Sequence, residues 1–277
     1  MTSRTVFISN YSCRVDRIDK DNLLSEAILL TTDQELRARL ITNVKSFKIQ
    51  KASWELLRTP LGYTKEYHEV PELVGIIAYL NSGQQIREAV KYLPGIPLKL
   101  FFECIKGNVQ AETYLVYERG CSSLEDYNEY FAAHSVDSCS YYANLDHVTN
   151  SWQGYVKGAS AYRDHSLYYR TVNHHLARQK NDVIMAVSSL SDSFHEISIR
   201  ASFAKPGVLA EIQGDFLRAP DNICLETINR LLLMSGKNIS AMSKKELAQY
   251  VGGPCGCTHL LDLVYEMCQT VSVEMPF

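Results

Sequence analysis

The chain has 277 residues, of which 46% are hydrophobic and 21% charged, a composition typical of globular proteins. Lysine and arginine total 28 against 31 aspartates and glutamates, which leaves a net charge of -3. This balance argues against nucleic acid or an anionic membrane as a partner. The apolar runs are shorter than the roughly 20 residues that span a bilayer, and the N-terminus lacks an apolar signal core. We therefore predict a cytoplasmic protein with a small-molecule substrate.

Residues 1–106 show strand patterns followed by helix patterns. Leucine and alanine alternate with arginine over residues 36–40, which predicts a strand, and a second strand is expected over 47–57. Pro71 suits the first turn of a helix. Two further helices are predicted at 84–91 and 98–105.

Residues 107–167 form a tyrosine-rich inserted segment. Ten of the 17 tyrosines of the chain fall between Tyr114 and Tyr169. A capped helix is expected to begin near Ser122. Tyr141 and Tyr142 are candidate substrate-binding residues, and the alternative is that these phenols pack between structural elements.

Residues 168–277 repeat the order of strands and helices. Period-two patterns predict strands over 183–190, 195–203 and 208–217, with a turn before the last strand. A helix follows around Leu225 and stops near Gly236. The remaining helices are expected at a capping box that begins at Ser243 and over 260–270 behind Thr258.

Short ordered matches join the two halves. The matched segments are 4–6 with 170–172, 57–60 with 217–220, 82–83 with 235–236, and 98–103 with 261–266. We interpret them as a tandem duplication. The predicted fold is α+β, a three-stranded antiparallel meander followed by three helices, present twice as a pseudo-dimer. Its first copy, 1–106, is degenerate, because it lacks cysteine and histidine at the positions that carry them in the second.

The strongest site candidates are Cys224, Cys257 and His259, which are predicted as catalytic residues and as possible metal ligands. Both cysteines fall at predicted helix N-termini, where the helix dipole favours thiolate. The spacing of Cys255, Cys257 and His259 places soft ligands close together, but it is only weakly specific for a metal; if an ion is bound, zinc or iron is the expectation. The alternative is that these are buried small residues and a hydrogen-bonded histidine.

Arg58 and Arg218 occupy matching positions, each followed two residues later by proline. They are candidates for substrate binding, although an arginine present in both halves also suits a structural role on backbone carbonyls. Asp192 and His195 lie in the strand region, and His195 is interpreted as a core histidine. Phosphate-binding glycine loops and common hydrolase motifs are not found.

The segments Leu217 to Cys224, Ser235-Gly236 and Gly256-Cys257-Thr258-His259-Leu260 resemble a bacterial family, domain of unknown function 2889, over residues 168–271. The resemblance loosely implies catabolism of small or aromatic compounds. The order of elements also resembles iron-sulfur scaffold proteins of the NifU/IscU type, and this second resemblance implies ligands near Cys224, Cys257 and His259.

Two functions remain open. The first is an enzyme, a lyase, isomerase or hydrolase, that acts on a small organic substrate, for instance an aromatic-derived one, in a cleft between the repeats. The second is a protein that handles a metal or an iron-sulfur cluster. The degenerate copy and the tyrosine-rich segment favour the enzyme, since both can form walls of a pocket.

Overall fold

The computed structural model describes residues 3–93, 95–157, 163–205, 207–239 and 242–274. Its strands are β1 Ser3–Arg17, β2 Asn22–Thr31, β3 Glu35–Asn43, β4 Ile49–Thr59, β5 Gly62–Glu69, β6 Ser166–Gln179, β7 Ile184–Asp192, β8 Glu196–Lys205 and β9 Val208–Arg218. Its α-helices are α1 Gly83–Ala89, α2 Gly95–Ala111, α3 Leu124–Ser135, α4 Ser140–Ala143, α5 Trp152–Tyr155, α6 Asn222–Glu226, α7 Lys244–Val251 and α8 Thr258–Glu274. Short 3₁₀ segments lie at Pro71–Leu73, Glu112–Tyr114, Thr227–Met234 and Gly253–Cys255.

Across the described residues, the strands form one nine-stranded sheet in the order β5-β4-β3-β2-β1-β6-β7-β8-β9. The registers of the β2–β3, β3–β4, β4–β5, β7–β8 and β8–β9 pairs are antiparallel. The predicted fold is therefore wrong: the described residues contain no three-stranded meander followed by three helices in each half, and their nine strands belong to a single sheet.

The error arises in strands whose buried faces contain polar side chains. In β6 the buried positions include Arg170 and His174, and in β2 they include Ser25 and Glu26. Strand β5 is the edge of the sheet and has exposed side chains at all but one position. None of these strands shows the clean apolar alternation that predicts β8.

The chain divides into two compact units. The first unit comprises Met1–Ser9, Asn128–Tyr155 and Val172–Phe277, and the second comprises Asn10–Tyr127 and Val156–Thr171. In the second unit, α2 packs on β2 and β3, and their apolar residues share one buried cluster. No described helix of either unit is both long and apolar enough to cross a membrane.

In the first unit, α8 packs against β7 and buries Leu260, Leu263, Val264 and Met267 completely. The predicted capping box is confirmed: Ser243 accepts a hydrogen bond from the Glu246 amide, and the Glu246 carboxylate accepts one from the Ser243 amide. Helix α8 begins at Thr258 and is preceded by Cys257. This arrangement brings the start of α8 to the side chains at the end of β7.

Candidate metal centre

A four-residue turn, 192–195, joins β7 to β8. The amide of Asp192 donates to the carbonyl of His195 at 2.9 Å. The Asp192 Oδ1 atom accepts from the amides of Phe194 and His195 at 2.7 and 2.6 Å. Because a buried amide without a partner is costly, this carboxylate stabilises the turn.

The β2–β3 hairpin contains a turn of the same form without a carboxylate at the equivalent position. There the amide of Thr31 donates to the carbonyl of Gln34 at 2.8 Å. The Thr31 hydroxyl accepts from the amides of Asp33 and Gln34 at 3.1 and 3.0 Å. A threonine hydroxyl therefore suffices to hold such a turn, and the turn alone does not require the charge of Asp192.

Arg58 and Arg218 bind the carbonyls of these two turns. The guanidinium of Arg58 donates to the carbonyls of Thr31 and Thr32, and that of Arg218 donates to the carbonyls of Asp192 and His195 at 2.6 and 3.4 Å. These contacts give both arginines a structural role. Their predicted substrate-binding role stays a prediction.

Replacing Arg218 with alanine is expected to lower the free energy of unfolding by about 1 to 3 kcal/mol, because it leaves turn carbonyls without a charged donor. Urea unfolding of the purified variant measures this. Arg200 is exposed on β8, so Arg200→Ala serves as the control and should change stability by less than about 0.5 kcal/mol. Equal stability of the two variants would contradict the role given to Arg218.

His259, in the first turn of α8, meets the turn side chains. Its Nε2 lies 3.7 Å from Oδ2 of Asp192, while Nδ1 of His195 lies 3.3 Å from Oδ1 of the same carboxylate. The two imidazole rings stack with centroids 3.8 Å apart. Within the described ranges, Asp192, His195 and His259 are the group of potential metal ligands whose donor atoms all lie within 4.8 Å of one another.

These separations suit a shared metal ion. Zinc binds histidine nitrogen and carboxylate oxygen at about 2.0 to 2.2 Å, so two ligands of a tetrahedral ion lie about 3.4 Å apart. His195 Nδ1 lies 3.3 Å from Oδ1 of Asp192 and His259 Nε2 lies 3.7 Å from Oδ2, and both separations are close to that value. Two histidines and a carboxylate also form a common ligand set for ferrous iron. The donors therefore suit zinc or ferrous iron, and of the predicted ligands Cys224, Cys257 and His259 only His259 belongs to this group.

Asp192 is an anion in this setting. Burial raises the pKa of its carboxyl group, but the hydrogen bond and charge of His195, the charge of His259 and the amide of Phe194 together hold that pKa well below its usual range. A buried carboxylate that stays ionised beside two imidazole nitrogens offers oxygen and nitrogen donors to a cation.

Cys224 and Cys257 lie nearby but outside this group. The Cys257 sulfur is 4.0 Å from Nδ1 of His259. The Cys139 thiol is near enough to raise the pKa of both Cys224 and Cys257, and the Cys224 thiol is near enough to raise that of Cys257. Burial raises the pKa of Cys224 to about 12 and raises that of Cys257 further, so the thiolate expected from their positions at helix N-termini is not favoured. Their predicted catalytic and metal-binding roles stay predictions.

Tyr141 and Tyr142 pack within the tyrosine-rich segment. The Tyr141 hydroxyl donates to the carbonyl of Asn150 at 3.0 Å, and burial raises its pKa to about 12. Tyr142 is half-buried and contacts the rings of Phe131 and Tyr141. These contacts favour a packing role for both tyrosines. The predicted substrate-binding role of Tyr141 and Tyr142 stays a prediction.

The segment is held in place by Asp221, which caps α6. One of its oxygens accepts from the Ile223 amide, and the other accepts from the amides of Thr149 and Asn150 and from the Thr149 hydroxyl. This anchor precedes Trp152, whose ring meets that of Phe194 at 4.9 Å. The tyrosine-rich segment thereby supplies an aromatic neighbour to the turn that contains Asp192.

The sequence singles out His259, whereas His195 is interpreted as a core histidine and Asp192 is only placed among weaker candidates in the strand region. The overlooked signal is the Asp-x-x-His spacing between two strands, which places both side chains in one hairpin turn. Their convergence with His259 depends on how α8 packs against β7, and a single sequence does not show that packing.

No curated protein and no solved structure matches this chain. No solved structure therefore supports the predicted likeness to iron-sulfur scaffold proteins, which stays a prediction. Residues 166–272, which hold Asp192, His195 and His259, match the family described as "Protein of unknown function (DUF2889)". The match confirms the predicted resemblance to DUF2889 over this part of the chain, from β6 to α8.

Proposed function

We propose that residues 166–272 form a metal-dependent enzyme domain that acts on a small organic substrate. The proposal is carried by one observation, the convergence of Asp192, His195 and His259. Three protein ligands leave coordination positions open, as in catalytic metal sites, whereas structural zinc sites are closed by four ligands. Zinc is the first expectation, since the donors are nitrogen and oxygen.

A bound ion would supply Lewis acidity and polarise a substrate carbonyl group. The chain itself supplies orientation and shielding from water. The turn amides fix Asp192 in position, while Phe194 and Trp152 form an apolar contact beside it. Tyr155 is partly exposed and stacks on Trp152, with ring centroids 5.7 Å apart. These rings favour a substrate with an apolar or aromatic part. Lyase, isomerase and hydrolase chemistry all remain compatible with this site.

Titration of chelator-treated protein with zinc tests the proposal. We expect a single ion per chain with submicromolar affinity in the wild type, and at least a tenfold loss of affinity in His259→Ala, because one of three ligands is removed. His147 is exposed, so His147→Ala is the matched control and should bind like the wild type. A wild type without a zinc site, or a His259→Ala variant that binds normally, would refute the proposal.

The second candidate function is the handling of a metal or an iron-sulfur cluster, which the neighbouring thiols of Cys139, Cys224 and Cys257 favour. Anaerobic purification followed by elemental analysis separates the two functions. An enzyme domain with zinc yields colourless protein without labile sulfide. A brown protein with iron and sulfide, lost in Cys224→Ala, would support the handling function instead.

A further inference from the structure

The ring of His259 has a polar neighbour at each of its two nitrogens. Nε2 faces the Asp192 carboxylate at 3.7 Å, and Nδ1 faces the sulfur of Cys257 at 4.0 Å. A histidine that binds a metal through one nitrogen usually donates the hydrogen of its other nitrogen to an acceptor, which fixes the tautomer and the ring orientation. In this site the group at that second nitrogen is a sulfur atom.

The backbone holds Cys257 firmly at this position. Its amide donates to the carbonyl of Val251 at 2.9 Å, and its carbonyl accepts from the amide of Leu261 in the first turn of α8. The preceding Gly256 lies against Val251 so closely that an added Cβ would be 2.3 Å from the Val251 carbonyl oxygen. The backbone position of Cys257 next to His259 is therefore fixed by these contacts.

We propose that Cys257 is a positioning residue, whose sulfur accepts a hydrogen bond from Nδ1 of His259 and so directs Nε2 towards the ion. The inference rests on the proposed metal site. Sulfur is a weak acceptor, and its effect depends on holding one ring orientation. The two nitrogens lie on different edges of the ring, so an ion bound to Nε2 beside Asp192 is separated from the sulfur by the imidazole. In this proposal Cys257 contacts a ligand of the ion and is not itself a ligand, unlike the role that its position in the sequence predicts.

Cobalt titration of the chelator-treated full-length chain tests this inference. The variants are Cys257→Ala, Cys257→Ser and, as the matched control, Cys255→Ala at an exposed cysteine two residues earlier. Loss of the acceptor in Cys257→Ala should weaken cobalt binding about 10 to 100-fold, as typically found when the partner of a metal-bound histidine is removed. Cys257→Ser should recover most of the affinity, because a hydroxyl oxygen also accepts a hydrogen bond, and Cys255→Ala should match the wild type.

The absorption spectrum separates a positioning residue from a ligand. The wild-type cobalt complex should show d–d bands without a sulfur-to-cobalt charge-transfer band. A charge-transfer band that disappears in Cys257→Ser would overturn the inference by showing that the sulfur binds the ion. Equal affinities of Cys257→Ala and Cys255→Ala would also overturn it. If Cys257→Ala fails to fold, the affinity and spectrum of Cys257→Ser still decide, because a large loss of affinity in that variant contradicts a role that a hydroxyl can fill.

These outcomes also distinguish the inference from the function on which it rests. A wild type that binds neither cobalt nor zinc overturns both. A wild type that binds cobalt through Asp192 and His259, with no effect of Cys257→Ala, overturns only the role of Cys257.

Discussion

Asp192→Thr is expected to abolish metal binding while leaving the fold intact. Thr31 shows that this exchange is possible: in the β2–β3 turn its hydroxyl accepts from the amides two and three residues later, as Asp192 does in the β7–β8 turn. A threonine hydroxyl preserves those hydrogen bonds and removes the carboxylate. Zinc affinity should fall at least 100-fold, about 2.7 kcal/mol of binding free energy.

Asp192→Ala provides the contrast, because alanine removes both the ligand and the acceptor of the turn. It should lose zinc binding and also about 1 to 3 kcal/mol of stability, from the amides of Phe194 and His195 that lose their partner. Urea unfolding in the presence of chelator measures stability without the contribution of the ion. If Asp192→Thr and Asp192→Ala lower the free energy of unfolding equally, the threonine hydroxyl does not replace the carboxylate in the turn.

Gly256→Ala is expected to have the largest effect on folding. A Cβ at this position would lie 2.3 Å from the Val251 carbonyl oxygen and 2.6 Å from the Gly252 amide nitrogen, so backbone atoms have to move. The backbone of Gly256 lies outside the left-handed region, and the glycine is required for space. We expect a loss of about 2 to 4 kcal/mol of unfolding free energy, measured by urea unfolding.

Gly95→Ala is the matched control, because nothing lies within 4 Å of a Cβ at the first residue of α2. Alanine favours helix over glycine by up to about 1 kcal/mol, so this variant should be unchanged or slightly stabilised. A Gly256→Ala variant as stable as Gly95→Ala would show that Cys257 is not held by the tight contact at Val251.

The sequence predicts the elements that alternate cleanly or carry capping signals. Strand β8 and the capping box at Ser243 belong to this class, since one apolar face or one pair of local hydrogen bonds defines each. Strand β6 escapes prediction because Arg170 and His174 occupy buried positions among its apolar residues. The number of strands in one sheet depends on pairing between segments distant in the chain, which local patterns do not show.

The candidate site, too, is predicted only in part from the sequence. His259 stands out in the sequence because it lies close to two cysteines, whereas Asp192 is only placed in the strand region and His195 is interpreted as a core histidine. The structure shows that the turn role of Asp192 is real and uses Oδ1, while Oδ2 faces His259. A residue with two roles is hard to recognise from sequence, because the local role explains its presence sufficiently.

Anomalous diffraction from crystals grown with zinc shows whether Asp192, His195 and His259 bind one ion. We predict an anomalous peak within bonding distance, about 2.0 to 2.2 Å, of the Asp192 carboxylate, a His195 nitrogen and Nε2 of His259, and not of the Cys257 sulfur. A peak bonded to Cys224 and Cys257, or no peak at Asp192 in zinc-saturated crystals, would contradict the account.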